Sequence, residues 1–192
     1  MKKPIVIAAL VLMLVSVAAV AAPKGELSYS AQTHLEIDFD KFTGIYNVSP
    51  YRNLLGSAMD RPRLSLTCQH DAGGKGIFLQ VRIASKSWYF LSYGILLVNG
   101  VKYELPELDY FSDDVHREVV TGGINEDLFY RSGDPAVWAI IAAVKKAGVA
   151  GKVEYKFYGE KYSASGTMTE MEKQCWLDVL EYYDRVEVPR TF

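Results

Sequence analysis

The chain has 192 residues, 49% of them hydrophobic, with 21 basic against 23 acidic residues and a net charge of −2. It contains no basic cluster, which argues against nucleic acid and against anionic membrane surfaces as partners. The length suits one domain with ample apolar material for a core.

Lys2 and Lys3 precede a run of small and apolar residues from Pro4 to Val20. Ala19-Val20-Ala21 then offers small residues at the positions a signal peptidase reads, which is the layout of a secretory leader. The expectation is a signal peptide over 1–21 and a single exported domain over 22–192. The alternative is a membrane anchor, but the run falls short of the roughly 20 apolar residues a spanning helix needs. It also ends in small residues and not in a basic flank, so no stable anchor is expected after cleavage. A bacterial periplasmic location follows, with release to the medium as the other option.

Cys68 and Cys175 are the only cysteines. In an oxidising compartment two cysteines read as one disulfide, here closing a long loop and contributing about 4–5 kcal/mol in the chain-entropy picture. Separate buried thiols are the alternative. A catalytic thiol pair would want C-x-x-C spacing, which is absent.

Residues 22–31 read as a polar lead-in. His34 to Phe39 alternates, with Leu35, Ile37 and Phe39 on one face of a half-buried strand. Asp40 to Gly56 is mixed and rich in turn formers. Arg63 to Gln69 alternates again and points Leu64, Leu66 and Cys68 inward. The Asp71-Ala72-Gly73-Gly74 turn leads to a strand with Ile77, Leu79, Val81 and Ile83 inside. Its Gly73-Gly74-Lys75-Gly76 run lacks the spacing of a phosphate loop and joins two strands, so it reads as a hairpin turn.

Trp88 to Val98 reads as one long strand, and Asn99-Gly100 turns it back into Val101 to Leu105. Asn-Gly between two β runs is the strongest short-range hairpin signal, because a type I′ turn needs positive φ at both central residues. Pro106 to Asp114 is acidic and aromatic. Val115 to Thr121 alternates, with Val115, Arg117 and Val119 opposing His116, Glu118 and Val120; Gly122-Gly123 turns, and Leu128 to Tyr130 forms a short strand.

Asp134-Pro135 is a helix start, with Asp as cap and Pro in the first turn. Val137, Ile140, Ile141 and Val144 keep helical spacing up to Gly148. Lys152 to Tyr158 and Lys161 to Thr167 form a second hairpin. Thr169 and Glu172 form a capping box for a last helix over about Glu170 to Asp184, with Met171, Cys175, Val179 and Tyr182 on one stripe. Trp88 and Trp138 are expected in the core, and Trp176 beside the helix cysteine. The fold class is α+β: a mostly antiparallel β-sandwich or curved sheet with two packed helices.

No residue pattern demands catalysis. There is no G-x-S-x-G elbow, and His34, His70 and His116 stand near no motif serine. Asp109, Asp113, Asp114, His116 and Glu118 gather oxygen and imidazole ligands, but without the spacing of a calcium loop; they read as a solvated acidic loop, and neither metal nor cofactor is expected. Abundant acidic residues make chance carboxylate pairs common, so glycosidase chemistry has no specific signal.

Tyr110 and Phe111 stand out within this loop, since aromatic loop residues are favoured interface anchors. Glu107, Asp109, Tyr110, Phe111, Asp113, Asp114 and His116 are therefore the candidate binding surface. The leading expectation is a non-catalytic domain that binds another envelope or extracellular protein. Its negative loop suits a basic partner, as an inhibitor or immunity-type protein would need. A small apolar-ligand module is the alternative, and a hydrolase with a site assembled in space is a third.

Phe39-Asp40-Lys41-Phe42-Thr43-Gly44, Trp88, Leu97-Val98-Asn99-Gly100, Lys145-Lys146-Ala147 and Gly151-Lys152-Val153-Glu154-Tyr155 together resemble a loose group of small exported bacterial β-rich domains of uncharacterised function. In that group the hairpin turn is usually Asp-Gly. The closing pattern, a strand hairpin and then a cysteine-bearing helix, resembles periplasmic accessory proteins of type VI secretion. Neither resemblance implies catalytic residues.

Overall fold

The computed structural model describes residues 26–55, 59 and 61–187; the leader expected over 1–21 lies outside them. The fold is α+β, with two antiparallel sheets and three helices among the described residues. The larger sheet has the order β1 (Leu35–Asp40), β2 (Ile45–Pro50), β3 (Arg63–His70), β4 (Lys75–Ser85), β8 (Gly123–Arg131), β7 (Val115–Val120). The smaller has the order β10 (Ser163–Thr167), β9 (Val153–Gly159), β5 (Leu91–Val98), β6 (Val101–Glu104). The helices are α1 (Tyr29–His34), α2 (Pro135–Ala147) and α3 (Glu170–Arg185).

Strict alternation builds the larger sheet. Leu64, Leu66 and Cys68 stand opposite Val81, Leu79 and Ile77, and the latter strand in turn sets Val81 and Leu79 opposite Leu128 and Tyr130. All are buried. The other face carries Gln80, Arg82 and Asp127, with Arg82 Nε 2.6 Å from Asp127 Oδ1. At the β1 end of the inner face, Phe39, Tyr46 and His70 stack in sequence, with centroids 4.5 and 4.8 Å apart.

Helix α3 covers the inner face. Trp176 donates its indole N–H to Leu64 O at 3.3 Å, and Tyr182 OH lies 3.0 Å from His70 Nε2. The helix is buried on most sides, including Glu172, Lys173 and Asp178. Each of these is satisfied: Glu172 by Arg61 (2.7 Å) and its own cap, Lys173 by Gly151 O (2.5 Å), Asp178 by Gln174 (2.9 Å) and Ser30 (3.0 Å). An unpaired charge there would be costly. Helix α2 packs on β5 and β6, and the two sheets meet along β5 and β8.

Local rules set the element ends. Asn99 and Gly100 take φ of 49° and 82°, the two positive values a type I′ turn requires. Asp134 Oδ1 accepts Ala136 N–H at 2.8 Å with Pro135 in the first turn. Thr169 and Glu172 form both halves of the capping box, worth about 1 kcal/mol. Asp71 Oδ1 accepts the amides of Gly73 and Gly74 at 2.7 and 2.9 Å, so that segment is a hairpin turn.

Several expectations are corrected. The mixed segment after Asp40 contains β2, and the polar lead-in contains α1, capped by Ser28. The strand expected from Leu128 begins at Gly123. Trp138 is 43% exposed and Met171 39%, while Trp176 is fully buried. The expected disulfide is not formed: Cys68 and Cys175 are both buried free thiols. Cys68 lies in the field of Lys75, Tyr182 and Tyr183, whereas Cys175 lies in that of Glu172 and Asp178. Trp176, next to Cys175, bonds Leu64 O, whereas Tyr182 bonds His70. The helix thus sets Cys175 beside the Leu64 end of β3, and Cys68 lies four strand residues further on, roughly 13 Å, where a bridge needs Cα atoms within about 7 Å.

Candidate functional site

The site starts from a buried carboxylate. Glu126 lies in β8 at an inward position, opposite Ile83 on one side and Arg117 on the other. Its carboxylate accepts three consecutive main-chain amides, from Tyr89 (2.5 Å), Phe90 (3.1 Å) and Leu91 (3.0 Å). Charge-assisted bonds of this kind are the strong ones. To aim three successive amides at one group the chain must leave the extended conformation, and Phe90 takes φ of 56°. This is why β5 begins at Leu91 and not at Trp88.

Arg117 neutralises Glu126, with Nε 3.4 Å from Oε2. Its Nη2 donates to Leu91 O at 2.8 Å and its Nη1 to Tyr110 O at 3.0 Å. One guanidinium thus joins β8, the first residue of β5 and the loop before β7. It also lies 4.2 Å from the Tyr110 ring centroid and 5.8 Å from that of Phe90, a cation–π arrangement.

A continuous ring series runs over this base. Trp88 stacks on Phe90 (5.7 Å), Phe90 meets Tyr110 (5.6 Å), and Tyr110 meets Phe111 edge-on (4.8 Å). The Lys161 ammonium, from the β9–β10 turn, is 5.0 Å from the Phe90 centroid. Phe111 at the tip is 89% exposed and Tyr110 39%. The loop is held in shape locally: Asp109 Oδ1 accepts Phe111 N–H (2.9 Å), and Ser112 Oγ accepts Asp114 N–H (3.0 Å).

The sequence-expected residues divide by role. Tyr110, Phe111, Asp113 and His116 line one open pocket of about 470 Å³. Asp109 builds the turn, and Asp114 pairs with Arg131 at 2.9 Å. Glu107 is exposed and lies outside the pocket lining. Trp88, Phe90, Arg117, Glu126 and Lys161 complete the site and were not expected there. The one available signal was charge at inward strand positions: an Arg in step with Val115 and Val119, and a Glu in step with Leu128 and Tyr130 on a neighbouring run.

A second constellation contains Ser, His and Asp. Ser30 Oγ donates to Asp178 Oδ2 (3.0 Å) and lies 3.0 Å from His34 Nδ1, which is itself 2.8 Å from the same carboxylate oxygen. A hydrolytic triad places the serine on one ring nitrogen and the carboxylate on the other. Here both converge on Nδ1, and the serine proton goes to the carboxylate. The geometry is that of a clasp fixing α1 to α3. His70 is enclosed between Tyr46 and Tyr182, and burial holds its pKa below the ordinary histidine value.

Among the described residues, no group of three or more His, Cys, Asp or Glu side chains is placed to hold a metal ion, and no helix is long and apolar enough to cross a membrane. Searches against family models, curated proteins and solved structures give no match for this chain.

Proposed function

We propose that this chain is a non-catalytic recognition protein of the bacterial envelope, exported on its leader to the periplasm, that captures another protein through the ring series ending at Phe111. The observation carrying this reading is the combination of exposure and rigidity at that tip. A phenylalanine with 89% of its surface in water sits on a loop fixed from below by Arg117 and, through it, by Glu126. A large aromatic anchor held in place loses little entropy on docking, and such anchors dominate interface energetics. Asp113 in the pocket and exposed Glu107 and Asp109 favour a basic partner, as in an inhibitor or immunity role.

The test is affinity capture from envelope extract with wild-type protein, Phe111→Ala and the Tyr110→Ala/Asp113→Ala double variant. The expected result is one specific basic protein retained by wild type and reduced at least tenfold by either variant, with unchanged melting temperatures. Equal retention by all three proteins removes the loop from the function.

A further inference from the structure

The loop ends against a strand with no strand paired on its outer side among the described residues. β7 is the last strand of the six-stranded sheet. Phe129 N–H donates to Asp114 O at 2.8 Å, and with Val115 opposite Leu128 this fixes the alternation of an antiparallel ladder. The main-chain groups of His116, Glu118 and Val120 face β8, while those of Val115, Arg117 and Val119 face away. The Val115 N–H is taken by Ser112 O at 3.0 Å. The Arg117 and Val119 N–H and C=O groups and the Val115 C=O have no main-chain partner among the described residues. Val119 is 76% exposed, and His116 and Glu118 are exposed on the opposite face.

We infer that β7 receives an extended segment of the partner protein as an added strand, whose side chain at one end enters the Tyr110–Phe111 pocket. This rests on the recognition role proposed above and names the form the partner takes. Strand addition uses main-chain bonds for affinity and alternate side-chain pockets for specificity. Side chains of an added strand alternate between faces. Those on the inner side meet the rings of Tyr110 and Phe111, which suits apolar residues. Those on the outer side meet the exposed Glu118 carboxylate, beside Asn125 and His116, which suits lysine or arginine. The Glu118 carboxyl is held below the usual range chiefly by its bond from Asn125, so it carries its charge at neutral pH. The occupant is therefore an extended peptide segment alternating apolar and basic residues.

The probe is a displayed library of random twelve-residue peptides selected on the purified protein. The expected winners alternate apolar and basic residues, and their binding slows amide hydrogen exchange at Arg117 and Val119. Methylating alternate peptide nitrogens on one edge weakens binding at least tenfold, whereas methylating the other set does not. Val119→Pro removes one outward N–H and leaves the ladder to β8 intact, a placement proline tolerates at an edge; it too weakens binding at least tenfold. No enriched peptide, or binding indifferent to both methylation patterns, overturns the inference. Loss of partner capture with Phe111→Ala but not with Val119→Pro rejects strand addition and keeps the recognition role; retention by both variants rejects both.

Discussion

Arg117 and Glu126 stand opposite each other in the register of β7 and β8, on the inward face of the sheet, and both hold the main chain of Leu91, which Arg117 also ties to Tyr110. The pair is the joint between the sheet and the aromatic surface. Replacing Glu126 with Gln keeps the shape but removes the charge, leaving Arg117 uncompensated and three amides with a weaker acceptor. Breaking a buried, hydrogen-bonded pair of this kind costs about 2–4 kcal/mol. Denaturant unfolding of Glu126→Gln checks this; a loss below about 0.5 kcal/mol, the scale of an ordinary surface substitution, would show that the pair is not the joint.

Gly159 lets the same segment lie flat on β9. A Cβ at this position would stand 2.0 Å from Tyr89 O and 2.8 Å from Phe90 O, distances that force the main chain to move. Gly159→Ala is expected to destabilise by about 1–3 kcal/mol, as overpacking does, and to weaken partner capture by displacing Phe90. Gly74→Ala, where nothing lies within 4 Å, is the matched control and should change neither. Calorimetric melting of the two variants decides, and equal melting temperatures would sink the argument.

Stability should fall in mild acid partly through His70. Burial holds its folded pKa below the ordinary value, with Lys75 adding to the effect and Asp71 opposing it. Between the folded value and the unfolded value of about 6.5 the unfolded chain binds the extra proton, so stability rises with pH there. The contribution is complete above about 6.5 and is lost as pH falls towards the folded value. His70→Gln should therefore show a shallower loss of melting temperature than wild type from about pH 7 to about pH 5. Parallel curves would mean that His70 takes no part.

Both cysteines should behave as sheltered thiols. Burial is the main cause that pushes each up to about 12, and reactivity belongs to the exposed thiolate. Native protein at pH 8 should react with neither iodoacetamide nor an aromatic disulfide, and denatured, unreduced protein should take up two alkyl groups. A mass showing no uptake until reductant is added would mean that the thiols are joined after all.

Features that depend on a few adjacent residues were legible in the sequence. Asn99-Gly100, Asp134-Pro135 and the Thr169–Glu172 box each formed where the local chemistry demands it. What was illegible depended on partners distant in the chain. Ile45–Pro50 has no strong pattern of its own and is a strand because β1 and β3 pair on both its sides. Trp88 to Phe90 reads as β and is bent by Glu126, more than thirty positions later. The pairing of Cys68 with Cys175 was inferred from compartment and number, neither of which places two side chains in space. The candidate loop was visible as composition, but its anchor was not, because Arg117 and Glu126 meet only through strand register.

Helix α3 fills the interior, and it follows every strand in chain order. Until it has been synthesised, β3 lacks the helix that packs on it and that bonds Leu64 and His70 through Trp176 and Tyr182. The larger sheet can therefore gain this cover only after all ten described strands of the two sheets have been made, so the order of synthesis delays closure of the core.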